Sequence, residues 1–352
     1  MNTDRIARVA AHMKALNLPQ ILVSSVESIY YLTGIHCPPG ERLQALILND
    51  SGDATFITNQ LFALRGAVKD ATFVEYTDTQ DSVSILSSHL QSGSLGIDKS
   101  WASHFLIRLM ALRPDIRPAL GSAPVDLARM LKDDSERAAM IESSRLNDEI
   151  VGQLRETLRE GETERDVARR YIEIALSLGA DGASFNPLIC FGKNAAEPHH
   201  EPDDTRLRLG DAVIMDVGCA KDHAMSDMTR TVFFGEPTQK QREVYDIVLR
   251  ANRAAKAAVR PGAKLSDIDR AARSVIEQAG YSDYFIHRTG HGIGIEVHEP
   301  PDVSATSEAV ATPGMVFSIE PGIYLPGEFG VRIEDLVLVT DTGCTVLNAL
   351  DA

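Results

Sequence analysis

The chain has 352 residues, 44% apolar and 24% charged, long enough for two folded cores. Its 50 acidic residues outweigh 35 basic ones, and the formal charge of -15 repels nucleic acid and anionic membranes alike. No run approaches the length and uniform apolarity of a membrane span, and the first twenty residues read as an amphipathic helix rather than a secretory leader. Cys37, Cys190, Cys219 and Cys344 are scattered with no CxxC pair, which argues against a disulfide framework and for a reducing cytoplasm. Cys219 lies near Asp216 but reads as a small strand residue.

Residues 1–125 are expected to form a small mixed domain. After the first helix come ILVSS, SIYYLTG, LQALILN and DATFITN, short β-branched and aromatic runs between polar turns. LFALRGAVK and SVSILSSHL are helix-like, SLGID follows, and a further helix starts near Trp101. The Pro- and Gly-rich RPDIRPALGSAPVD is expected to include the crossing into a second domain, residues 126–352.

In that second domain long helices alternate with paired strands. Asp133 with Glu136 and Thr163 with Asp166 read as capping boxes, Thr238 caps a third helix, and Ser266 with Asp269 is expected to open a fourth. REGETERDVARRYIEIALSLGA resembles RPGAKLSDIDRAARSVIEQAGY, with Gly161 and Gly179 corresponding to Gly262 and Gly280. The match suggests one domain of two similar halves with a site at their junction, against chance similarity of amphipathic helices.

Five residues could bind metal: Asp216, Asp227, His291, Glu320 and Glu334. A hairpin turning at Lys221–Asp222 would place Asp216 opposite Asp227, and one turning at Gly327 would place Glu320 opposite Glu334. A lone acidic residue in a strand is more often an edge charge facing water. Here MVFSIEPGIY and GVRIEDLVLV set the acids in apolar runs, where an unpaired carboxylate is costly. Asp335, next to Glu334, points to the other face of a regular strand. His291 stands among Gly290, Gly292 and Gly294, which leave room for close approach but do not form a phosphate-binding fingerprint. Four carboxylates and one imidazole could hold two divalent cations, and oxygen-rich donors favour Mn, Co or Fe, with Zn left open.

MDVG, SDMTRT, GHGIGIEVHE, SIEPGIY and VRIED, in this order and spacing, resemble the metal-dependent pita-bread hydrolases, specifically Xaa-Pro dipeptidase (prolidase) and Xaa-Pro aminopeptidase. The resemblance covers nearly the whole chain. It implies an α+β architecture: a creatinase-type α/β N-terminal domain followed by a pseudo-symmetric pita-bread catalytic domain. By position, Asp216 would chelate one metal, Asp227 and Glu334 would bridge both, and His291 and Glu320 would complete the second. The resemblance gives Glu320 a further role in proton transfer and makes His298 and His287 its catalytic companions. His199, His287, His298, Tyr324 and Arg332 would contact substrate or orient the acids. It also implies two divalent ions per subunit, manganese first with Co, Zn or Fe as alternatives, and a homodimer acting on Xaa-Pro dipeptides or short peptides with proline second. Relatives often carry an aromatic residue just before the SD of SDMTRT, where this chain has His223 and Ala224. Creatinase shares the fold without the metal cluster, and methionine aminopeptidase has a much longer gap between its last two glutamates. These contrasts favour the proline-specific peptidases, and the compact chain and prolidase-like VHEPPDV segment make dipeptidase the leading expectation, with aminopeptidase, or a hydrolase or lyase acting on a non-peptide small molecule, as alternatives.

Overall fold

Asn2 starts the first helix, Thr3–Ala15, by accepting a hydrogen bond from the Arg5 amide, and Ile6, Val9 and Met13 turn one face of that helix inward. The computed structural model describes all residues, 1–352, and the chain divides into two compact units, Met1–Arg129 and Met130–Ala352. The division expected after residue 125 falls inside the helix Ala123–Met130.

The first unit is built on a six-stranded mixed sheet in the order Thr72–Tyr76, Ala54–Asn59, Ala45–Asn49, Gln20–Val23, Gly93–Ile97, Ile116–Leu120. Helices cover it, with Leu86, Trp101 and Leu109 packed against Leu22, Ile47 and Leu95. Two local expectations fail here, and a third stretch holds an element the sequence did not announce. SIYYLTG lies in a helix, Val26–Thr33, because Ser25 caps its start and Gly34 ends it at φ 78°. LFALRGAVK yields only a short 3₁₀ turn, Gln60–Phe62, which Ala63 terminates in the left-handed region. The Pro-rich stretch contains the edge strand Ile116–Leu120, where proline is tolerated.

In the second unit the repeat is a structural one. Helices Asp134–Glu156 and Glu164–Ser177 form the first half, Gln239–Ala258 and Leu265–Gln278 the second. Gly161 and Gly262 both adopt φ 84° at the inter-helix turns. Their amides donate to Leu207 and Ala311 respectively, each at 2.9 Å, and the bridges Thr163–Arg206 and Lys264–Val310 recur at matching places. Each half has its own core, one around Leu146, Tyr171 and Met215, the other around Val248, Ile268 and Phe317.

Asp133, Thr163 and Thr238 all form their capping boxes. Ser266 does not cap: its helix begins at Leu265 behind Lys264, which offers no side-chain cap, and Asp269 is buried inside the structure. The bridge from Lys264 to Val310 sets that helix start, as Thr163 does in the other half.

Strands follow the helices in both halves. Leu188–Phe191, Ala212–Val217 and Met228–Phe233 form one sheet; Gly290–Gly292, Val316–Ile319 and Asp335–Val339 form the middle of a five-stranded one.

Candidate metal centre

Asp216 is the penultimate residue of the strand Ala212–Val217, and Asp227 immediately precedes Met228–Phe233. Asp222 and His223 take left-handed conformations at the intervening turn, one residue later than expected. Asp216 therefore faces Thr229 instead of Asp227. The displacement along the partner strand is two residues, which keeps both acids on the same face. Glu320 and Glu334 lie at a break between two ladders that share one register, with Ile319 opposite Asp335 on one side and Gly322 opposite Arg332 on the other. Gly327 makes the turn at φ 74°, as the sequence predicts. His291 sits in the strand Gly290–Gly292, where a Cβ on Gly290 would lie 1.8 Å from the Ser318 carbonyl oxygen.

All five residues line one cavity of about 590 Å³. Potential ligand atoms of Asp227, His291 and Glu334 lie within 4.8 Å of one another. His291 Nε2 is 3.7 Å from Asp227 Oδ2 and 3.4 Å from Glu320 Oε1. Its Nδ1–H donates to the Gly292 carbonyl at 3.1 Å, which leaves Nε2 as the lone-pair nitrogen facing the carboxylates. Burial, reinforced by His298, lowers the His291 pKa to about 3, so the ring is neutral and able to ligate.

The carboxylates are at odds with their surroundings unless a cation is present. Burial, then the charges of Asp216 and Glu320, raises Asp227 well above the usual carboxylate range. Burial, then Asp227 and Glu320, does the same to Glu334, and burial pushes Glu320 up to about 7. Asp227 Oδ1 and Glu334 Oε1 are buried with no hydrogen-bond partner. Orphaned anionic oxygens beside a neutral imidazole are the donor set a divalent cation requires, so the residues fit the expected metals.

Arg332 organises one side of the cluster. It donates to Asp216 Oδ2 at 2.6 Å, Thr229 Oγ1 at 3.1 Å and the Tyr324 hydroxyl at 2.8 Å. Thr229 in turn donates to Glu334 Oε2 at 2.8 Å. Asp335 turns away, paired with Arg230 and Lys256. Cys219 is buried with its Sγ 3.4 Å from the Ser143 carbonyl, engaged in packing.

Of the expected substrate residues, His199, His287, His298 and Arg332 line the cavity. His298 is at its exposed rim, its ring 4.2 Å from that of His291 between centroids. Tyr324 is buried behind the wall and does not line the cavity. Its hydroxyl lies 2.8 Å from His287 Nε2, while His287 Nδ1 donates to the Arg288 carbonyl at 2.7 Å. Both nitrogens of His287 are thus occupied within the protein, and burial, then Arg332, lowers its pKa to about 4. The residue the sequence reading missed is Arg288. It is the one cavity-lining cation besides Arg332, and pairs with Asp302. Its position between His287 and the TGHG run was the available signal, but a lone arginine in sequence reads as a solvated charge.

Comparison with known proteins places this geometry in a family. Residues 138–341 match metallopeptidase family M24, and residues 5–131 match the creatinase/prolidase N-terminal domain. An uncharacterized peptidase of Staphylococcus saprophyticus is 34% identical, covering 96% of this chain and 97% of its own. Among solved structures, a prolidase from Thermococcus sibiricus superimposes with a TM-score of 0.94 at 35% identity, over 100% of this chain and 98% of that one. A Pyrococcus horikoshii dipeptidase gives 0.93 at 34%, over 99% and 98%. An X-Pro aminopeptidase from Thermotoga maritima gives 0.82 at 26%, over 97% and 98%. The two-domain creatinase-type and pita-bread architecture expected from the sequence is the one observed, and the chain belongs to the metal-dependent peptidases of family M24.

Proposed function

We propose that the protein hydrolyses the bond preceding proline in Xaa-Pro dipeptides. The observation that carries this reading is the cavity itself, where the five-residue ligand cluster shares walls with His199, His287 and Arg288. Asp216 would serve one cation, His291 and Glu320 a second, and Asp227 and Glu334 both, manganese being the first candidate. Cations bound there would acidify water and polarise the scissile carbonyl. Glu320 lies between the Ser318 hydroxyl, at 3.2 Å, and His291, partly open to the cavity. From there its carboxylate takes a proton from the attacking water and returns it to the departing proline nitrogen. His298, on the rim, donates to the oxygen on which negative charge develops.

Phe185, Leu188, Pro198 and Val297 supply apolar wall for a pyrrolidine ring. Arg288, whose pairing with Asp302 is solvent-exposed, is the cation a dipeptide's terminal carboxylate would meet, since Arg332 is buried against Asp216. This favours a dipeptide over a longer peptide, and the higher similarity to the dipeptidases than to the aminopeptidase supports the same choice. Four free cysteines accord with a cytoplasmic location, and no helix is long and apolar enough to cross a membrane. We also propose a homodimer; Ile107, Met110 and Leu120 leave apolar surface exposed on the first unit, and sedimentation tests it.

The deciding experiment is turnover by purified, Mn-loaded protein on Xaa-Pro, Xaa-Pro-Yaa and Xaa-Ala peptides. Cleavage of Xaa-Pro alone is expected. Preference for Xaa-Pro-Yaa would make it an aminopeptidase, and silence on every peptide would turn the search to small non-peptide substrates.

A further inference from the structure

Glu164 opens the helix Glu164–Ser177 and is fully buried at 0% exposure. Acids in a first helical turn ordinarily face water and the helix dipole. This one faces the segment between Phe191 and Asp203. One oxygen accepts from the Phe191 amide at 2.7 Å and from Asn194 Nδ2 at 3.0 Å. The other accepts from the Asp203 amide and lies beside His200 Nε2, both at 3.0 Å. A single carboxylate thereby ties both ends of one excursion of the chain.

Glu164, His200 and Asp203 are close enough to suggest a second cation site. The hydrogen bonds argue otherwise. An ionised carboxylate offers about four lone-pair directions, and here four neighbouring groups occupy them, two of them backbone amides that cannot be exchanged for a metal. The cluster is a filled anion clamp.

The excursion it ties carries Pro198 and His199, which both line the catalytic cavity. Pro198 is also reached by Arg332, whose Nη1 lies 3.4 Å from the Pro198 carbonyl oxygen. His199 is exposed to the cavity and adjoins His200, the side-chain arm of the clamp. Fixing His200 and Asp203 on one side and Phe191 on the other therefore fixes where His199 stands. We propose that Glu164 is a positioning residue for substrate: without touching it, Glu164 holds the His199 wall of the cavity in register with the metal cluster. The proposal rests on reading the cavity as the peptide site.

None of the proposed metal ligands belongs to residues 191–203, so a positioning role and general damage separate experimentally. In Mn-loaded Glu164→Gln, KM for an Xaa-Pro dipeptide should rise about tenfold, the size of one lost charge-assisted hydrogen bond to substrate, with kcat within about twofold of wild type. Calorimetric titration with Mn should show unchanged affinity. Hydrogen exchange should quicken over residues 191–203 and stay as in wild type over 287–298. His200→Gln, altering a part-exposed side chain, should move KM the same way by about threefold, and it stands in if the buried variant does not fold. In a His199→Ala background Glu164→Gln should raise KM no further, because the residue it acts through is gone. An active enzyme in which Glu164→Gln speeds exchange but leaves KM unchanged overturns the substrate role. Equal losses of kcat and Mn affinity overturn it in favour of site-wide disorder. If the wild type cleaves no Xaa-Pro peptide, the peptide reading itself falls, and the substrate role with it.

Discussion

The two halves of the catalytic unit share a backbone plan and differ in how each holds its histidines. At the start of the second helix the first half has Glu164 and the second has Leu265, both fully buried. Both donate their amides to the returning chain, Glu164 to Thr205 and Leu265 to Ala309. In the first half a carboxylate reaches outward to grip the His199 segment. In the second, leucine fills the core and the grip moves along the helix to Asp269, which accepts from Arg273 and from Thr289 Oγ1. Arg273 then donates to the carbonyls of Phe285 and His287, with its guanidinium 4.2 Å above the Phe285 ring. One fold thus solves the same problem twice with different chemistry, and acids from both halves meet with His291 in one cavity.

The strongest way to break this comparison is to remove a proposed ligand from either half. Asp227→Asn and Glu334→Gln should each cost activity roughly 10³-fold or more, equivalent to about 4 kcal/mol of barrier. Metal analysis should show both ions disturbed in each case. Stability should move the opposite way once cations are chelated. A buried carboxyl with a raised folded-state pKa favours the fold while protonated, and that contribution is lost as pH rises past the folded value. At neutral to alkaline pH the chelated Asp227→Asn protein should therefore melt above chelated wild type, and below it when Mn is present. A lower melting point under chelation would show that the acids are not in conflict.

His291 and His298 separate ligation from catalysis within the second half. His298→Ala should fold, keep its metal and lose about 10²-fold in turnover, in the range of an oxyanion-stabilising donor. His291→Ala should weaken metal binding, with activity partly restored by excess Mn. The reverse pattern would exchange their roles.

Asp269→Asn probes the second clamp directly. It should destabilise the protein by about 2–3 kcal/mol, short of a fully buried pair because Arg273 can turn toward water. Activity should fall about tenfold as the His287 wall loosens, consistent with lost hydrogen bonds. Exchange should quicken over 285–289 and not over 191–203, the mirror of the Glu164 variant. Quickening over both would mean the walls are one mechanical unit.

The sequence disclosed the acids of the cavity better than their supports, for a physical reason. Acids inside apolar strand runs are conspicuous because burial makes them expensive, and Gly327 announces its turn. The turn before Asp227 was less legible, since Asp222 and His223, neither of them glycine, hold its left-handed positions. SIYYLTG has strand composition, and only Ser25 before it and Gly34 at its end reveal a helix. Glu164 carries no signal and Asp269 a misleading one, as a capping partner for Ser266: each looks like an ordinary helix acid until the fold brings another chain segment against it. Arg288 and Tyr324 depend likewise on which way a wall faces.

The smallest effect makes the halves more alike. Thr163 caps its helix reciprocally with Asp166, whereas Lys264 stands at the matching cap with an extended backbone (φ -68°, ψ 138°) and no side-chain bond. Its ammonium is also the wrong charge for a helix N-terminus. Asp267 already occupies the place of Asp166, exposed and only loosely paired with Arg270 at 3.5 Å. Lys264 itself is exposed, and its link to Val310 is made by backbone. Lys264→Thr should therefore complete a capping box without disturbing the bridge, adding about 1 kcal/mol. In a unit of this size that is a rise of roughly 2–4 °C in Tm, measured with cations chelated so that ligand binding does not mask it. Thr163→Lys should lower Tm by a similar amount. If Lys264→Thr lowers stability instead, the lysine stem packs over the bridge to Val310, and the missing cap is compensated by side-chain burial rather than left open.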